Sequence, residues 1–197
     1  MIVYFRIMRT KDDKKKEALF KATVKLVNEI GFASASVSKI AKEANVSSST
    51  IYVYFKNKED LLVSTYIEIK HNFAAALLAD FDDTLPIRDS IKGVWFSMFN
   101  YISNNLEDYD YLEQFANSPY SSLVDRETLE KEYIPISNVF KKGIEQKIIK
   151  NVDKRFLHAF ILNPISRLAN PRLCHDLEMN EENLELAFTM AWDAIKL

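Results

Sequence analysis

Ser36, Ser47, Ser48, Ser49, Thr50, Tyr52 and Tyr54 crowd hydroxyl groups into one short stretch that ends on Lys56 and Lys58. Serine and threonine hydroxyls donate to phosphate oxygens or to either base edge. Tyrosine joins a flat apolar body to a donor tip, and lysine supplies a point charge. That is chemistry for gripping a polyanion and touching bases in a groove. Other chemistries lack their parts. His71, His158 and His175 are scattered, Cys174 stands beside His175 without further ligands, and the sequence holds no phosphate-cradling glycine loop. Metal sites and nucleophile–base pairs need such groups gathered at set spacings, so no catalytic residue, metal or cofactor is expected.

The elements that position these side chains follow from apolar spacing. Leu19, Ala22, Thr23, Leu26 and Ile30 share one face of a helix expected over about 13–30. Gly31 closes it, and Phe32 folds back as the accompanying apolar contact. Ser36 caps a second helix, Asn45 stands at a turn where its short amide tolerates left-handed backbone, and Ser47 caps a third helix ending near Tyr54. Asn57 caps a fourth, with Glu59 and Asp60 in its first turn. The second and third form a helix-turn-helix whose small core is Val37, Ile40, Ala41, Ala44, Val46, Ile51 and Phe55. Ser48, Ser49, Tyr52 and Lys56 are left outward, with Thr50 at the edge, and Lys58 adds charge where helix N–H groups already favour anions.

This run resembles the tetracycline-repressor (TetR) family of one-component bacterial regulators. The likeness is carried by Gly31-Phe32, Ser36-Val37, Ile40-Ala41, Ala44-Asn45-Val46-Ser47 and the unbroken stretch from Ile51-Tyr52 to Asp60-Leu61. It implies an all-α fold of about nine helices. A three-helix helix-turn-helix DNA-binding domain is expected over 10–58, followed by a helical effector-binding and dimerisation domain over 59–197. It also implies that Ser36, Ser47, Thr50, Tyr52, Tyr54 and Lys58 hold phosphates, with Ser48 and Ser49 nearest the bases. Asn45 and Ser49 stand where the family often has glycine, so no relative's operator carries over to this chain.

Beyond Leu62 the resemblance is weak, and the residues must be read by themselves. Helices are expected to continue the fourth to about 79, then over 87–104, 108–116, 126–146 with a kink at Pro135, 153–168 with a kink at Pro164, and from 180 to the end. Phe140 to Ile149 and Ala187 to Ile195 are similar to two helix ends of the family, although Lys147 replaces a frequent glycine. In the last helix Leu184, Ala187, Phe188, Ala191 and Ile195 form one stripe, and Leu186, Met190, Ala194 and Leu197 another. The helix before it is apolar on most sides through Phe156, Leu157, Ala159, Phe160, Ile161 and Leu162. Two apolar faces need two covers, the domain's own core and the same helices of a second subunit. Both helices lying centrally in one subunit is the alternative. Trp95, Phe96, Phe99, Asn100, Tyr111, Phe115, Tyr120 and Phe160 are candidates to line a pocket for a small apolar or aromatic effector, although aromatic stripes are more often core.

Composition agrees with this reading. Residues 1–60 hold 12 Lys and Arg against 7 Asp and Glu, whereas residues 61–197 hold 14 against 21, a basic end on an acidic body. One cysteine and no apolar run of membrane-spanning length fit a cytoplasmic protein. The opening MIVYFRIM is too short for a secretory signal; Met8 is the expected initiator, with an ordered N-terminal arm the alternative. The function expected is a homodimeric repressor released from palindromic double-stranded DNA when an effector, bound among the fourth to eighth helices, moves the fourth. The alternative is a helix-turn-helix protein acting through a protein partner in a structural or cell-cycle role, without a small ligand.

Overall fold

The computed structural model describes residues 11–174 and 176–197. The expectation about Met8, and His175, lie outside the described residues. Among those described, the chain forms twelve α-helical segments and no strand beyond one isolated bridge between Ile149 and Lys196. They divide into two compact units: the first comprises the described residues up to Glu68 with Asp110–Val124, the second Ile69–Tyr109 with Asp125–Leu197.

In the first unit, α1 (Lys11–Ser34) leaves helical geometry at Gly31, where φ is 76° and ψ 163°. That region is open essentially only to glycine, so the expected helix stop is a backbone requirement. Helices α2 (Val37–Glu43) and α3 (Ser48–Tyr54) follow. The turn between them is a Schellman closure: the Val46 N–H donates to the Ala41 carbonyl and the Asn45 N–H to that of Lys42, with Asn45 left-handed at φ 55°. Leu19, Ala22, Ile40, Ala41, Ile51, Phe55 and Leu61 make the core. The last of these lies in α4 (Lys58–Leu78), which Asn57 caps by accepting from the Asp60 N–H at 2.7 Å.

The second unit is organised around α5 (Ile87–Asn104), which buries Ile87, Ile91, Val94, Trp95, Phe99 and Ile102. Helix α6 (Leu106–Ala116) begins two residues before its expected start. The long helix expected over 126–146 is instead α7 (Arg126–Glu130), a 3₁₀ turn and α8 (Ile134–Glu145). Pro135 lacks an N–H and its ring clashes with the carbonyl four residues back, so it is tolerated only in the first turn of a new helix. The helix expected over 153–168 is similarly divided, into α9 (Lys154–Leu157), a π turn over His158–Leu162 and α10 (Asn163–Leu168). Pro164 cannot donate to the Phe160 carbonyl. The turn widens, Asn163 donates five residues back to His158, and the Trp95 Nε1–H donates to the Ile161 carbonyl at 2.9 Å. A short α11 (Pro171–Cys174) occupies the expected loop, and α12 (Glu181–Ile195) closes the chain from its Asn180 cap.

Helix α8 also ends in a Schellman closure. The Ile148 N–H donates to Gly143 and that of Lys147 to Ile144, with Lys147 left-handed at φ 56°. The connection packs so closely that a Cβ on Gly143 would sit 2.6 Å from Ile149 Cδ1 and 3.0 Å from Ile87 Cγ2. Ile149 and Ile87 are both buried and cannot swing out. Gly143→Ala is therefore expected to lower stability by about 1–3 kcal/mol, read as a reduced urea midpoint with an unchanged slope.

Candidate nucleic-acid interface

Helix α3 buries only Ile51; every other side chain on it is at least partly accessible. Packing of Ile51 and Phe55 with Leu19, Ala22, Ile40 and Ala41 fixes its orientation. A pair of exposed side chains, Lys25 and Glu43, ties α1 to α2 at 2.6 Å. The helix-turn-helix core is thus held from both ends, while one face of α3 stays open.

The hydroxyls at its start form a chain. Ser47 accepts from the Thr50 N–H at 3.2 Å, and its Oγ lies 2.7 Å from Ser49 Oγ and 2.9 Å from Thr50 Oγ1. Ser36 likewise caps α2, accepting from the Lys39 N–H at 3.3 Å. Both serines are caps, and each hydroxyl is also shared with neighbouring hydroxyls, Ser38 for Ser36 and Ser49 with Thr50 for Ser47. Ser48, Tyr52 and Lys56 are exposed.

Two further sequence-derived candidates are engaged with residues distant in the chain. Tyr54 donates its hydroxyl to Asp12 at 2.8 Å, with Lys16 Nζ 5.7 Å from its ring centroid. The bond to that carboxylate raises the Tyr54 pKa, so the phenol stays a neutral donor. Lys58 donates its ammonium to the Phe32 carbonyl at 2.6 Å. This steers the lysine to the α1–α2 connection and leaves two of its protons for another acceptor. Spacing alone could not foresee this, because the partner is 26 residues away.

Phe32 is itself anchored. Its ring lies 5.6 Å from Tyr111, 5.9 Å from Phe115 and 5.5 Å from Tyr120, and Tyr66 stacks on Phe115 at 4.3 Å. Tyr111 donates to the Leu62 carbonyl, and burial pushes its pKa well above the usual range for a phenol. Three effector candidates, Tyr111, Phe115 and Tyr120, therefore belong to the first unit and surround Phe32. Trp95, Phe96 and Phe99 gather with Phe188 in the second unit. Asn100 is exposed, and Phe160 is 56% exposed. The eight are distributed over two aromatic clusters and two outward positions.

One residue escaped the sequence reading. Val53, also on α3, is 76% exposed, and the only signal for it was its place one residue after Tyr52 on a helix with a single buried position.

Residues 15–65 match the family model described as bacterial regulatory proteins of the tetR family, and residues 86–196 match a tetracyclin repressor-like C-terminal domain. The chain belongs to the TetR family. A TetR-family transcription regulator from Marinobacter aquaeolei, of known crystal structure, is 32% identical with a TM-score of 0.85, over 96% of this chain and 99% of that one. An uncharacterised helix-turn-helix transcriptional regulator of Haemophilus influenzae is 27% identical over 96% of this chain and 100% of its own length. A fatty acid metabolism regulator protein of Bacillus subtilis is 28% identical over 79% of this chain and 81% of its own. This TetR-family protein is thus a helix-turn-helix transcription regulator, all-helical as expected, and not an enzyme. Among its described residues no helix is long and apolar enough to cross a membrane.

Proposed function

We propose that this regulator is a cytoplasmic homodimeric repressor, held on a palindromic operator by two copies of α3 and released by a small apolar or aromatic effector. One observation carries the DNA-reading part: a seven-residue helix with one buried side chain, presenting hydroxyl and phenol groups outward and followed by Lys56 and Lys58. Residues 10–58 form the reading domain, with Ser36, Ser47, Thr50, Tyr52, Tyr54, Lys56 and Lys58 on the backbone and Ser48 and Ser49 toward the bases.

Residues 59–197 supply effector binding and dimerisation. Helix α12 buries Phe188, Ala191, Trp192 and Ile195, whereas Leu186 and Met190 on its other side are 58% and 67% exposed. Phe156 and Phe160 are also outward. Large apolar side chains left accessible along two helices support pairing with the same helices of a second subunit. Two-fold symmetry then sets the reading helices about 34 Å apart, one turn of duplex. An aromatic interior of Trp95, Phe96, Phe99 and Phe188 suits an apolar effector, an acyl chain among them, in keeping with the relative named for fatty acid metabolism. The effector acts only through its preference for one separation of the two heads.

Operator binding by the purified protein at several salt concentrations tests the assignment. Lys58→Ala removes one phosphate contact per subunit, so the slope of log affinity against log salt is expected to flatten by about 1.8 for the dimer. Tyr52→Ala is expected to weaken binding roughly ten-fold, the low end for losing one hydrogen-bonded contact from each subunit. Wild-type affinity in both variants would remove these residues from the interface.

A further inference from the structure

Val53 is more exposed than any other large apolar side chain among the described residues, and it stands on a helix that buries only Ile51. Neither local structure nor packing accounts for it. A β-branched residue is a poorer helix former than its straight-chain alternatives, and at 76% exposure it adds little to the core. Its neighbours at helical spacing within α3 are Ser49, four residues before, and Thr50, three before. The exposed Ser49 hydroxyl shares a hydrogen bond with that of Ser47 at 2.7 Å, so Val53 is the apolar member of this face. An apolar isopropyl group is therefore presented on the same short helix as the exposed Ser48 and Tyr52, on a surface otherwise suited to a polyanion.

The major groove offers one apolar feature. Adenine, guanine and cytosine present only nitrogen and oxygen donors and acceptors there, whereas thymine adds its 5-methyl group. We infer that Val53 is a specificity-determining residue, its methyls packing against the 5-methyl of one thymine in each half-site of the operator. This rests on the reading of α3 as the groove-entering helix. Cytosine at the same place would lack the methyl and set an unpaired amino donor against an apolar side chain, so the valine selects by shape and by desolvation together.

The operator is first recovered by selection of wild-type protein against random duplexes, and should hold a fixed T·A pair symmetrically in each half-site. Each fixed thymine is then replaced by deoxyuridine, which removes the 5-methyl and leaves every hydrogen-bonding edge in place. Wild-type protein is expected to lose about four-fold in affinity at one thymine of a half-site, and about fifteen-fold when both half-sites are changed, from the methyl contact alone. Val53→Ala should bind the thymine operator correspondingly more weakly and be indifferent to deoxyuridine at that position. Alanine favours the helix and the site is exposed, so the variant keeps its fold, which an unchanged thermal transition verifies. A wild type insensitive to every deoxyuridine, or a Val53→Ala protein with undiminished sensitivity, overturns the inference while operator binding itself stands. Failure to enrich any duplex would instead sink the DNA-reading assignment on which it rests.

Discussion

A Leu186→Glu, Met190→Glu double variant is expected to sediment as a monomer and to lose operator affinity by about a thousand-fold. Both side chains are more than half exposed within one subunit, so the substitutions leave its core intact and the helical circular dichroism unchanged. Across a two-fold interface each new carboxylate would face an apolar partner surface or its own symmetry mate. Burying an unpaired charge costs several kcal/mol, and four would be introduced per dimer. Losing the dimer turns binding of the second half-site from an intramolecular event into an independent one. The avidity lost, commonly 10²–10⁴, sets the size of the effect. A double variant that stays dimeric and keeps its affinity would move the interface to another face.

Phe32→Ala is expected to destabilise the first unit by about 2 kcal/mol, less than a fully buried phenylalanine would, and to weaken operator binding beyond what that loss explains. The partly buried ring packs against Tyr111, Phe115 and Tyr120, and truncating it removes all three aromatic contacts. Against a total stability of about 5–15 kcal/mol, such a loss is large. The backbone carbonyl of the same residue holds Lys58, so a slackened connection also releases the lysine from its position. Trp95 and Trp192 are both in the second unit, which gives the measurement its discrimination. The urea midpoint from circular dichroism should fall more than that from tryptophan fluorescence, and the two curves should separate. Coincident curves with wild-type midpoints would show the aromatic cluster to be dispensable. Phe32→Leu, which keeps most of the volume, should recover most of the stability.

What could be read from the chain alone was local. The Ser36, Ser47 and Asn57 caps all lie where they were expected, because a cap depends on a hydroxyl or amide meeting an N–H group three residues on. Asn45 is left-handed, Gly31 ends the regular part of α1, and α5 spans the expected 87–104. The two stripes of the last helix separated as their spacing requires, with Phe188, Ala191 and Ile195 inside and Leu186, Met190 and Leu197 outside. Which stripe faced inward was not legible, since both are apolar and only the rest of the unit chooses between them.

Tertiary structure decided everything that depends on partners distant in sequence. Pro135 and Pro164 announced irregularities, but whether each would kink a helix or divide it depended on the surroundings. At the second, the Trp95 indole, 66 residues from Ile161, satisfies a backbone carbonyl of the widened turn. Asp12 claimed Tyr54 and the Phe32 carbonyl claimed Lys58, contacts without any sequence periodicity to foretell them. The aromatic residues between 95 and 120, one run in the chain, went to two units because the division falls inside α6. Helices and their ends follow from near neighbours and period. The exposure of Val53 and the anchoring of Phe32 are properties of a surface and a core assembled from remote segments, and only the folded chain contains either.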